Sequence, residues 1–501
     1  MNKIINIITL SGMLALVSCN LNTYPVTSYN QGNIKVDKKT EAQFSTRADM
    51  QGLRNVLYSS WMKDIQEKDY LDWMVYSECR ADNAYAGSPT TGEIVDIESN
   101  HQDSNNKNIK RDWDWYMSQV SKTNQLICNI DRIAEKDNTL TQEEHDNWKS
   151  EMLIWRAYIV LKMSYLWGDI PFVTTIPPAI TAENVEKVYP EYFPERKPRA
   201  EVYKSLVKDL EYAGEHAPSP SNGNKMLLSK AVAYGLLARI YAEKPIRDWN
   251  KVAQYCQKIE DMGFKLVDKY GTLWGYDNSD AVRNTSESIL EVAWTKSSGN
   301  WVYFMFHRNA YNPDDNFTWS KWITPSRDLI SAYDAEGDTE RKNVSIAFDK
   351  CSWSLYYPSD NYAFMHKVPT NASSIILMRL GEIYLLHAEA LAMTGKISDA
   401  ASYVNKIRHR AGLKDLPASA LSDENAMIDA ILKERRLELA FEGFRFYDLV
   451  RHDRAVEICA KVAQNDKYWA DRAPITEETT LMPVSQTALD KNPSLNQNKG
   501  Y

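Results

Sequence analysis

Glu434, Glu438 and Glu442 recur every four residues, and paired carboxylates are what hydrolysis of a glycosidic bond requires. On one helix, however, that spacing lines the three carboxylates along a face instead of setting them on either side of a bond. Arg435, Arg436, Arg445 and Arg451 stand within ion-pair reach of Glu438, Glu442 and Asp448. Such pairing holds a carboxylate ionised, the wrong direction for a general acid. The stretch therefore predicts a structural ion network. No nucleophile elbow, phosphate loop, HExxH or dinucleotide fingerprint occurs. The eight histidines are scattered without ligand spacing, and His387, on an apolar-rich helix, reads as a satisfied core histidine. No catalytic residue, metal or cofactor is expected.

Binding chemistry is better represented. The chain holds 15 Trp and 29 Tyr against 12 Phe, so amphipathic rings outnumber the purely apolar one. Sugars are held by flat apolar faces against the C–H side of a pyranose and by planar polar groups on the hydroxyls. Rings on a helix stripe belong to a core, which removes Trp113, Trp115, Trp148, Trp155 and Trp167; Trp249 and Trp294 sit at element ends and read as structural. Two clusters remain. Residues 300 to 322 carry Trp301, Tyr303, Tyr311, Trp319 and Trp322 among Asn and Asp, and residues 72 to 85 carry Asp72, Trp73, Arg80, Asp82, Asn83 and Tyr85. Both are expected on loops, converging on one solvent-facing platform.

The elements that must position them are mostly helices. Thr141-Gln142-Glu143-Glu144 is a capping box that opens a helix through Trp148, Met152, Trp155, Ile159 and Met163, ended by Gly168. Trp113 to Ile133 forms a partner for it. Leu228 to Ala242 pairs with a helix from Asp248 to Gly263, and Ile376 to Met393 with Ala400 to Arg410. Three helix pairs with small residues at close-approach positions look like tetratricopeptide-type units, which stack because none can bury its face alone. Residues 20 to 48, 77 to 110, 264 to 375 and 463 to 501 lack a sustained period, and 264 to 375 offers only short strands such as Ser288 to Ala293. The fold class is mainly α: a helix-pair scaffold carrying a loop-rich, aromatic-decorated half.

The first residues have another character. Lys3, an apolar run over residues 4 to 17 and Leu16-Val17-Ser18-Cys19 read as a signal peptide over residues 1 to 18 ending in a lipobox, with Cys19 taking the lipid. Residues 19 to 501 then form one unit with loop-rich insertions. The other five cysteines cannot all pair, and most are expected as buried thiols. The net charge of −8 and the absence of a Lys/Arg cluster argue against a nucleic-acid partner.

Three stretches carry a resemblance: WRAYIVLKMSYLWGDIPFVTT (155 to 175); ILMRLGEIYLLHAEALAMTG (376 to 395) with VNKIRHRAGL after it; and ERRLELAFEGFRFYDLVR (434 to 451), followed at the end by MPVSQTALDKNPSLNQNKGY. In this order they are similar to the SusD/RagB-like lipoproteins. The resemblance implies tetratricopeptide-like helix pairs, lipid anchorage at an outer membrane facing outward, and no cofactor. It also implies glycan capture for a SusC-like TonB-dependent barrel, with the ligand site built from the two aromatic regions. Trp353, Tyr356 and Tyr357 form a third candidate, whose loop could instead face the transporter. The alternative is a transporter lid for another nutrient, such as peptide, with little affinity for sugar.

Overall fold

The computed structural model describes residues 44–86, 92–275, 283–295, 297, 299–307, 323–351 and 355–501. It is mostly helical. Thr46 caps the first helix, α1 (Arg47–Asp64): its hydroxyl accepts from the Asp49 amide, and the Asp49 carboxylate accepts from the Thr46 N–H. The chain does not leave the helix after Asp64. It widens into π-helical turns over Ile65–Leu71 and Val75–Cys79, with one α-turn, Asp72–Met74, between them. A π-turn takes more residues per turn than an α-turn, so the apolar residues lose their 3.6-residue beat. Asp72 and Trp73, expected on a loop, therefore lie inside a helix.

The helical frame follows from patterning. α2 (Lys107–Lys136) turns at Asp137 and folds back on α3 (Gln142–Trp167), whose N-terminus is the expected capping box and whose C-cap is Gly168 at φ 73°. α3 packs on α4 (Arg199–His216), which in turn meets α5 (Lys230–Ala242). α5 pairs with α6 (Trp249–Glu260), capped by the Asp248 carboxylate, which accepts from the Lys251 amide at 3.1 Å. The three expected pairs all form; α4, which the sequence reading did not identify, joins the first to the second. Among the described residues no helix is long and apolar enough to cross a membrane.

The segment between α6 and the third pair holds more than loops. Asn300 caps a short 3-10 turn over Trp301–Met305, and α7 (Arg327–Glu336) is a full helix capped by Ser326. Three two-stranded antiparallel ribbons cross the same half: β1 (Ala84–Ala86) with β3 (Ile323–Pro325), β2 (Ser288–Val292) with β6 (Ile375–Arg379), and β4 (Ile346–Asp349) with β5 (Tyr362–Met365). Residues 376 to 379, expected as helix, are thus strand. The β-branched pair Ile375-Ile376 suits a ladder with β2, and the helix α8 (Leu380–Ala392) starts only afterwards. α8 pairs with α9 (Ile397–Arg410) across Gly395 at φ 79°, and α10 (Glu424–Glu438) closes on both. His387 is buried and its Nδ1 lies 2.7 Å from Glu260 Oε1, the satisfied core histidine expected. Four of the five described cysteines are buried and Cys128 is exposed.

The carboxylate series is an ion network, but not on one helix. α10 ends at Glu438, the chain turns through Phe441 (φ 63°) and Gly443 (φ 83°), and α11 (Arg445–Arg451) begins in a new direction, ahead of α12 (Ala455–Asn465). Glu442 lies in that turn. Arg435 and Arg451 reach Asp448 at 2.8 and 2.7 Å as expected. Glu438 and Glu442 take their partners elsewhere: Arg379 is 2.5 Å from Glu438 and 2.8 Å from Glu442, Arg341 and Arg410 also hold Glu438, and Lys367 holds Glu442 at 2.8 Å. Burial alone would raise the Glu438 carboxyl. Arg410, Arg379 and Arg341 outweigh it and hold it well below the ordinary carboxylate range. Arg445, expected near Asp448, instead forks onto Asp82 at 2.7 and 2.8 Å.

Candidate ligand-binding face

The two candidate aromatic clusters are far apart in sequence and their segments meet in space. Ala84, Tyr85 and Ala86 of β1 stand opposite Pro325, Thr324 and Ile323 of β3. The chain bordering residues 87–91 therefore lies beside the chain bordering residues 308–322. The other border of that second segment is close too, because the His307 ring stacks on Phe364 of β5 at 4.6 Å, and β5 packs on β3.

What this places at the surface differs from the expectation. Asp72, Trp73, Arg80, Asp82, Asn83 and Tyr85 are all buried. Asp72 is ion-paired with Arg111. Trp73 donates its indole N–H to the Gly443 carbonyl at 2.9 Å and stacks on Tyr447 with centroids 4.8 Å apart. Arg80 donates to the carbonyls of Thr479 and Thr480 at 2.6 and 3.1 Å and lies over the Phe446 ring. Asn83 donates to Glu78 at 2.6 Å and accepts from Arg436 at 2.8 Å. Their planar polar groups are already engaged by protein, so these residues support a face and do not present one. Of the second cluster, Tyr303 is buried and Trp301 is half-buried, its amide donating to Gln66 Oε1 at 2.8 Å. Tyr311, Trp319 and Trp322 lie outside the described residues, as do Cys19 and Trp353.

Beneath the β1–β3 edge lies a layer of rings that sequence reasoning found only in part. Tyr85 stacks on Tyr356 at 4.4 Å and 13°, and contacts Trp469 at 4.9 Å and Tyr468 at 5.8 Å. The Tyr356 and Tyr357 hydroxyls donate to the carbonyls of Ala86 and Pro325 at 2.6 and 2.7 Å, pinning the ends of both strands. Tyr468 and Trp469 were missed because the terminal stretch has no period. The signal available was compositional, two adjacent rings next to Asp466, and Asp466 accepts the Tyr85 hydroxyl. Burial, opposed by a bond from the Arg327 amide, raises the Tyr85 hydroxyl, which stays protonated as that donor role needs. Arg327 caps the layer: its guanidinium lies 4.5 Å from the Tyr357 centroid and 4.8 Å from that of Tyr468. Outward from it, Asp328, Asn465, Asp466, Lys467 and Tyr468 line a shallow groove. A half-exposed ring among planar donors and acceptors can hold hydroxyls.

One titratable pair borders the same region. His307 Nδ1 and His366 Nδ1 are 3.3 Å apart, and His307 Nε2 is 3.1 Å from Asp349. Burial first, and the neighbouring His307 second, lower the His366 pKa from 6.5 to about 4. Between those values the unfolded chain binds the proton and the folded one does not, so stability falls as pH drops through that window. The loss expected from His366 is about 2 kcal/mol at pH 5 relative to pH 7. Urea unfolding of the protein and of His366→Gln at both pH values checks this: the substitution should flatten the difference by that amount.

Comparison with known proteins gives a consistent picture. The model of the SusD family matches residues 357–501, and a family model described as "Starch-binding associating with outer membrane" matches residues 35–242. SusD-like protein P38 of Formosa agariphila is 34% identical over 478 residues, covering 87% of this chain and 89% of that protein. The crystal structure of a SusD homolog from Bacteroides thetaiotaomicron superposes with a TM-score of 0.75 at 16% identity, over 93% of this chain and 99% of that one. Surface glycan-binding protein A from Bacteroides fluxus gives 0.70 at 21% identity, over 91% and 100%. At those identities the two structures speak for the fold.

Proposed function

We propose, from the premise that this chain belongs to the SusD family, that it is a cell-surface glycan-binding lipoprotein which catalyses nothing. In this reading it captures oligo- or polysaccharide and passes it to a SusC-like TonB-dependent barrel, while a lipid on Cys19 holds it at the outer membrane, facing outward. The observation that carries the proposal is the meeting of the borders of 87–91 and 308–322 along β1 and β3, over a rigid tyrosine layer. The rings proposed to touch the ligand are Trp301, Trp319 and Trp322. The family description, starch-binding and associated with the outer membrane, and the glycan-binding relative from Bacteroides fluxus support the same ligand class.

Affinity electrophoresis through gels containing starch, laminarin, a galactan or a xylan tests it. The unaltered protein should be retarded by at least one polysaccharide. A variant carrying Trp301→Ala, Trp319→Ala and Trp322→Ala should bind about ten-fold more weakly or worse, a loss of about 1.4 kcal/mol or more, with an unchanged far-UV spectrum. Full retention by that variant would put the site elsewhere. No retention of the unaltered protein by any gel, with stable co-purification of a barrel, would favour the transporter-lid reading.

A further inference from the structure

A second concavity lies away from the candidate face. It lies where the helix pairs meet the turn between α10 and α11, and its wall is aromatic: Trp73 and Tyr165 both stack on Tyr447, at 4.8 and 5.0 Å. Aromatic walls with convergent polar groups are the usual mark of a ligand pocket. Three observations argue for another occupant. The chamber's volume is about 60 Å³, too little for a pyranose. Its charges are met by partners in the protein: Lys162 with Asp69 and Arg239 with Glu382 at 2.6 Å, Arg435 with Asp448 and Lys367 with Glu442 at 2.8 Å, and Arg451 with Glu389 and, at 4.0 Å, Glu243. An ionic guest would find no opposite charge to take. Finally, two donors on its lining residues have no hydrogen-bond partner among the described residues, Arg435 Nη1 and the Tyr447 hydroxyl. Arg435 is 3% exposed, and its other guanidinium edge is fixed on Asp448.

We propose that this chamber is a binding site for about two ordered waters, which complete the hydrogen bonds of Arg435 and Tyr447 and solvate the surrounding ion pairs. A buried water needs two to four polar partners, and Glu243, Lys162, Asp69 and Arg239 supply them alongside the two unpartnered donors. The chamber is then a hydrated joint between the helix pairs and the α10–α11 turn, distinct from the face that would hold glycan. Ala242, at the end of α5, lines it from the apolar side.

The sign of a filling substitution tests this. Ala242→Leu should lower the urea midpoint, because an apolar side chain displaces waters from donors that have no other partner. A dry apolar cavity would respond oppositely, and a raised midpoint overturns the proposal. Should Ala242→Leu fail to fold, a crystal of the unaltered protein under xenon decides instead. Xenon in the chamber, density for a molecule other than water, or no water bonded to Arg435 Nη1 or Tyr447 Oη overturns the proposal; discrete water bonded to either donor and no xenon support it.

Discussion

Replacing Arg379 by methionine is expected to cost the folded state about 3–5 kcal/mol, the range for removing one partner from a buried ionic cluster. Arg379 is 1% exposed and touches three carboxylates, Glu287, Glu438 and Glu442, besides the Glu438 carbonyl. Methionine fills similar space and removes the charge, so the loss reports the stranded carboxylates and not a cavity. Arg410 stays within reach of Glu287 and Glu438, and Lys367 of Glu442, which keeps the effect from growing further. Urea unfolding followed by circular dichroism measures it. A loss below about 1 kcal/mol would mean that the remaining cations re-form a complete network, and would remove the reason for reading these residues as the clamp between β6 and the end of α10.

Trp73→Ala is expected to cost about 3–5 kcal/mol as well, the range for removing a large buried ring. The indole is stacked on Tyr447, lies under the Lys162 ammonium at 4.2 Å and donates to the Gly443 carbonyl. It also fixes Gly443: a Cβ there would lie 2.2 Å from the Trp73 ring, and φ is 83°. Substitution should therefore act on unfolding and leave polysaccharide retention of the folded protein unchanged. Near-normal stability combined with lost retention would return Trp73 to the ligand face.

The two residues illustrate which part of the molecule can be read from sequence. Where apolar side chains keep a 3.6-residue beat and caps mark the ends, as at Thr141 and Asp248, helices and partners were legible before any coordinates. Trp73 was misplaced because the π-turns on either side break that beat, so a helix buried on all sides looked like an aromatic loop. The same rule that rightly sent Trp113 and Trp155 to the core thus failed on Trp73. The Glu434–Glu442 series was recognised as structural, yet its partners were not, since Arg341, Arg379 and Arg410 come from three elements that no local spacing connects. At the candidate face, the two regions singled out in the sequence border one another along β1 and β3. The sequence could not tell the residues that build the support, Tyr85 and Asn83, from those that would touch a ligand, because both are rings and planar amides.

The stitching of Trp73, Arg80 and Asp82 to residues 443 to 480 has a consequence for how the molecule is made. These bonds join positions 363 to 400 residues apart. Closing a loop ten times longer than a local one costs about 2 kcal/mol of extra chain entropy, and the transition to the native state is slowed accordingly. As the ribosome delivers the chain, the first third has no way to finish its interior until almost everything else has been synthesised. In the proposed reading of this chain as an exported lipoprotein, a polypeptide that stays open so long is suited to threading through a narrow translocation pore.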